Sequence, residues 1–121
     1  KTIPAGARAA QTGSAAQSCD VDRCFGRDVI GWRPELRRCA SGVKIGVIDT
    51  AVDVSHPAFA KKKLDVKHLG REGAPGPNWH GTGVAALLAG DASSGTPGLI
   101  PDANFYIADI FSADADNEPV S

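Results

Sequence analysis

Val43 to Ile48 is a short apolar, β-branched run, Val-Lys-Ile-Gly-Val-Ile, and it stops abruptly at an acid, Asp49. The run is too short for a free-standing helix. It predicts a strand buried on both faces, and therefore a central strand of a parallel sheet. Parallel sheets in α/β folds gather ligands and catalytic groups just beyond the carboxyl ends of their strands. Asp49 stands at that point. A carboxylate closing a buried strand is costly unless a neighbouring group needs it.

The rest of the chain is consistent with an α/β layer built around this strand. Leu64 to Leu69 alternates apolar and polar residues, which predicts a half-buried strand at a sheet edge. Gly70 to Asn78, with its Gly and Pro residues, predicts a loop. His80 to Ala89 is small and apolar and predicts a buried helix, with Gly90 as its C-terminal stop. Asp91 to Pro101 is a second Gly/Ser/Pro loop, and Asn104 to Phe111 is the next strand. Strand, strand, helix, strand describes a parallel sheet with helical cover.

Upstream, Lys1 to Ser18 is rich in Ala, Gly, Ser and Gln and reads as a flexible leader. Residues 19–121 then read as one part of a domain. The chain has no Met and closes on Pro119-Val120-Ser121, so we read it as a piece of a larger protein. Between Cys19 and Cys39, Phe25, Val29, Ile30, Trp32 and Leu36 lack periodicity and predict irregular or short-helical cover; Pro34 stops any helix before it.

Charge and cysteines exclude some partners and indicate a compartment. The 13 Lys and Arg are nearly balanced by 14 Asp and Glu, which gives no electrostatic case for nucleic acid or an anionic membrane. The one basic run, Lys61-Lys62-Lys63, reads as a solvated loop. No apolar stretch approaches the roughly 20 residues that span a bilayer. Cys19, Cys24 and Cys39 cluster before the core strand, which predicts disulfide stapling and an oxidising, secreted or periplasmic location. Among the three pairings, Cys24–Cys39 is favoured over Cys19–Cys24. A zinc site is disfavoured, because CxxC spacing and a local His are both missing.

His80 opens the predicted helix as Asp49 closes the strand, so one sheet edge can hold both. An imidazole there serves as a general base once a carboxylate on its other ring nitrogen fixes the tautomer. A capped helix beside a satisfied Asp is the bland alternative. The wording of the motifs goes further. Ile48-Asp49-Thr50-Ala51-Val52-Asp53, then His56-Pro57, His80-Gly81-Thr82-Gly83-Val84-Ala85 and Gly98 to Tyr106 together resemble the subtilisin-like serine proteases, in order and spacing as well as in letters. Chain order Asp, His, Ser is that of the subtilisin triad.

The resemblance covers roughly Gly42 to Phe111. It implies a three-layer subtilisin-like α/β fold with a central parallel sheet, incomplete in this chain. It implies a serine endopeptidase acting on peptide or protein substrates, with Asp49 orienting the imidazole and His80 as general base and then general acid. His56 belongs by this reading to a structural loop, and His68 to the strand surface. Two positions depart from the pattern: Ala51 stands where Gly is usual, and Gly83 where His is common. Neither removes a catalytic group. The larger departure concerns the nucleophile. In the family it lies in a downstream Gly-Thr-Ser segment, after an Asn that supplies an oxyanion donor. Ser14, Ser18, Ser41, Ser55, Ser93, Ser94, Ser112 and Ser121 all lack that context.

The resemblance also places substrate contacts on the segment after Phe111, at Ala115, Asp116 and Asn117, where an exposed strand edge pairs with the substrate backbone. Its acidic character implies a preference for basic or neutral residues before the cut. No cofactor is required and no metal ligand is assigned. Calcium is possible but not indicated, Asp91 and residues 114–118 reading as solvated loops. Three rival readings remain. Asp49, Asp53, His56 and His80 could serve a metal-dependent hydrolase, but their spacing matches no ligand set. A phospho-acceptor module would want an earlier acidic pair and a later Lys. A pseudoprotease would keep the motifs and lack the Ser.

Overall fold

A computed structural model describes residues 26–71, 76–113 and 119–120. Three strands form a parallel sheet in the order β1, β3, β2: β1 is Lys44–Asp49, β2 is Asp65–His68 and β3 is Asn104–Asp109. One helix, α1 (Trp79–Ala89), lies between β2 and β3 in sequence. The register runs from Lys44 opposite Asn104 to Asp49 opposite Asp109, and from Asp65 opposite Tyr106 to His68 opposite Asp109. Asp49, Asp109 and His68 therefore stand side by side across the carboxyl end of the sheet. Beyond it, β4 (Ser112–Ala113) and β5 (Pro119–Val120) form a short antiparallel pair.

The α/β class and parallel sheet match the expectation, but the place of β1 does not. Among the described residues β3 is the central strand and β1 an edge, with alternating rather than double-sided burial. Ile45 and Val47 point toward the α1 side. Lys44, Gly46 and Ile48 face the other way, where Ile48 is 71% exposed. A β-branched run reports that a strand can be buried, and cannot report whether a second layer covers it. The sheet is thus an incomplete α/β arrangement with one covered face.

The covered face holds the core. Ala58, Phe59, Ala85, Ala86 and Ile107 are buried together, with Val47, Val52, Leu64 and Val66 packed against them. Phe59 and Ile107 each contribute on the order of 1.5–3 kcal/mol by leaving water. The helix was expected to be buried. Instead Gly81, Ala85, Ala86 and Ala89 are buried, while Trp79 and Leu87 are exposed. Small residues bring one flank of α1 close to the sheet, and the larger side chains point outward.

The end of α1 accounts for its free carbonyls. Ala86 O accepts from Gly90 N at 3.0 Å, Leu87 O from Leu99 N at 2.9 Å, and Leu88 O from Ile100 N at 3.0 Å. Gly90 does stop the helix, though through close approach rather than a left-handed turn: a Cβ there would run into Thr96 O and Ala86 O. The cover segment is short-helical, as expected, but its apolar anchors among the described residues are not buried. Val29 and Ile30 are exposed, and the 3-10 helix Pro34–Ala40 has no buried residue. Its attachment is Trp32, whose Nε1 donates to Leu99 O at 2.9 Å while Arg27 and Arg37 flank the ring. Arg33 is extended before Pro34, as a pre-proline residue should be. Cys39 lies exposed in that 3-10 helix, whereas Cys19 and Cys24, and the leader 1–18, fall outside the described residues.

Candidate active site

The end of β1 and the start of α1 are joined by three successive links. His80 Nδ1 lies 2.7 Å from Asp49 Oδ1. Next, Gly81 N donates to Thr50 Oγ1 at 2.8 Å, a buried bond. Then Asp53 N donates to Thr82 Oγ1 at 2.9 Å. Each residue of His80-Gly81-Thr82 thus meets one of Asp49, Thr50 and Asp53. The glycine is required by contact: a Cβ at Gly81 would collide with the carbonyls of Thr50 and Ala51. Thr50 is 7% exposed and uses its hydroxyl to satisfy one of the free N–H groups at the helix start.

The pair itself is asymmetrically placed. Asp49 is 12% exposed at its side chain and His80 54%. Asp49 Oδ1 also accepts from Thr50 N at 2.6 Å. Burial pushes the Asp49 carboxyl up, but the hydrogen bonds from His80 and Thr50 and the charge of His80 together outweigh it and hold the carboxyl below its ordinary value. Asp49 is therefore an anion across the neutral range, able to accept from Nδ1–H. Trp79 meets the His80 ring edge-on at 5.6 Å, and with Ile48, Pro77 and Phe111 it lines an apolar concavity beside the pair.

A family model, that of the subtilase family, matches residues 40–119. The chain belongs to the subtilase family. It is a peptidase domain of the serine type, and the small parallel sheet with its helix is part of that α/β fold. No curated protein and no solved structure matches the chain.

Other residues singled out in the sequence of this subtilase chain take different places. His56 accepts from Ala58 N at Nδ1, 3.2 Å, and caps the 3-10 helix Pro57–Phe59. Asp53 Oδ1 accepts from Ser55 N at 2.9 Å and closes a turn. Asp49, Asp53, His56 and His80 do not converge, and among the described residues no group of three His, Cys, Asp or Glu could hold a metal. Asp91 is bound into its own turn by Ser93 N at 2.7 Å. Lys61 reaches Ser93 Oγ at 2.9 Å, and Lys62 donates to Pro101 O. Ala115, Asp116 and Asn117 lie outside the described residues.

His68 is an exposed strand residue, as expected, but it has a partner: its Nδ1 lies 2.8 Å from Asp109 Oδ2, in a second Asp–His pair at the same sheet end. Asp109 is 2% exposed and also accepts from Phe111 N at Oδ1, 3.2 Å. The sequence carried a signal for Asp109, the same one that marked Asp49: an acid interrupting an apolar strand run. The partner of such an acid comes from a neighbouring strand, and sequence spacing does not name it.

Proposed function

We propose that this chain supplies the Asp and the His of an Asp–His–Ser triad in a serine endopeptidase. Asp49 orients the imidazole and stabilises its protonated form; His80 is the base and then the acid. The observation that carries this reading is the 2.7 Å contact at Nδ1, which leaves His80 Nε2 on the open side of the site. With Nδ1–H donated to Asp49, Nε2 presents a lone pair. It takes the proton of a serine hydroxyl as that oxygen attacks the substrate carbonyl, and later returns the proton to the departing amine. Among the described residues no serine hydroxyl bonds to His80. Ser55 is held by Asp53 and Ser112 by Arg71 O. By the family pattern the serine and an oxyanion donor lie downstream of this chain.

On the same reading, Ala115, Asp116 and Asn117 contribute to substrate binding. It also has the protein work in an oxidising, secreted or periplasmic compartment, which the clustering of Cys19, Cys24 and Cys39 in the sequence supports. A serine-directed fluorophosphonate probe tests the core of the proposal. The complete protein should be labelled at one serine, with labelling abolished by His80→Ala. An unlabelled complete protein would mean a pseudoprotease that has kept the pair and lost the nucleophile.

A further inference from the structure

The two Asp–His pairs occupy one row. Parallel register sets Asp109 directly beside Asp49 and His68 beside Asp109, with His80 reaching over from α1. Neighbouring strands are about 4.8 Å apart, so the sheet holds two carboxylates side by side. One of them, Asp109, is nearly inaccessible to water. A second carboxylate so close adds a negative charge to the site of the base, and that favours a charged His80, which cannot accept a proton.

We propose that His68 is a positioning residue for the Asp49–His80 pair: as an imidazolium seated on Asp109, it offsets the carboxylate that the sheet sets beside Asp49 and so keeps His80 available as a neutral base. The geometry supports a charged ring. Nδ1 faces Asp109 Oδ2 at 2.8 Å and Nε2 faces Arg71 O at 3.5 Å. Both partners are acceptors, and only the imidazolium donates from both nitrogens. The hydrogen bond to Asp109 favours the charged form and holds the His68 pKa above its ordinary value. Among the described residues, three others supply polar groups around the ring. β3 presents Asp109, the loop after β2 presents Arg71, and β4 presents the Ser112 hydroxyl, which donates to Arg71 O at 2.9 Å.

The inference rests on His80 being the base, but its test does not require activity. The chain has three histidines, so their ring signals can be followed individually by NMR titration. His68→Asn keeps a donor toward Asp109 and removes the positive charge. The pH at which His80 releases its proton should then rise by roughly half a pH unit, the scale of one screened unit charge acting from the far side of the central strand. In the double variant His68→Asn/Asp109→Asn both charges are gone and His80 should return to its wild-type curve. A purely structural role predicts the opposite, an added disturbance. An unmoved His80 in His68→Asn, or a shift that persists in the double variant, overturns the proposal. Should the variants fail to fold, the wild-type chain still decides: a His68 that is neutral at pH 7 refutes it. Fluorophosphonate labelling of the complete protein judges the triad separately, so the two ideas can fail apart.

Discussion

Asp49 receives two hydrogen bonds on one oxygen, from His80 and from Thr50 N, and its role follows from that crowding. Asp49→Asn keeps the shape but removes the charge and offers an amide that can drive the ring into the wrong tautomer. In the complete protein, kcat should fall by about 10⁴-fold with little change in KM, the size seen for this substitution in a serine protease triad. A drop confined to KM would deny Asp49 the orienting role. The same carboxyl has a pH signature. Its folded pKa is depressed, so its stabilising contribution is present above the ordinary carboxylate range and is lost as pH falls through the folded value. For His68 the sign reverses: the pKa is raised, so its contribution is fully present below about 6.5 and is lost as pH rises through the folded value. Denaturation midpoints should therefore fall on the alkaline side in wild type and lose that dependence in His68→Asn.

At the scale of elements, the contact between α1 and the end of β1 decides whether the pair forms. Gly81→Ala drives a methyl into the Thr50 and Ala51 carbonyls, and backbone cannot yield as a side-chain tip can. It should cost about 1–3 kcal/mol and separate His80 from Asp49. Gly83→Ala, two residues along the same helix with nothing within 4 Å of the added carbon, should instead stabilise by about 0.5–1 kcal/mol. Denaturation midpoints of the two variants moving in the same direction would contradict this packing. Much at this scale was legible in the sequence: β1, β2, α1 and β3 fall where periodicity and turn residues put them. What was not legible is what lies across from each face. The run Val43–Ile48 cannot say that its second face is open. Small apolar residues in α1 mark close approach without saying which flank approaches. Alternation in β2 sets His68 on the face of Leu64 and Val66, and only pairing with β3 reveals the buried acid it meets there.

For the molecule as a whole, exposed apolar surface and the free side of His80 point the same way. Ile48, Trp79, Leu87 and Tyr106 are large apolar side chains left open, some on the uncovered face of the sheet and others on the outer flank of α1. Such surface on a small domain marks a place where other protein packs, and among the described residues β1 also presents an unpaired edge. The chain alone should therefore bind a hydrophobic dye and associate as its concentration rises. It should also be catalytically silent. Among the described residues no serine hydroxyl bonds to His80, and orientation by Asp49 cannot supply the attacking oxygen. Incubated with a fluorophosphonate under conditions that label the complete protein, the isolated chain should stay unlabelled. Stoichiometric labelling of the chain, abolished by His80→Ala, would overturn this, because it would make one of the chain's own serines the nucleophile.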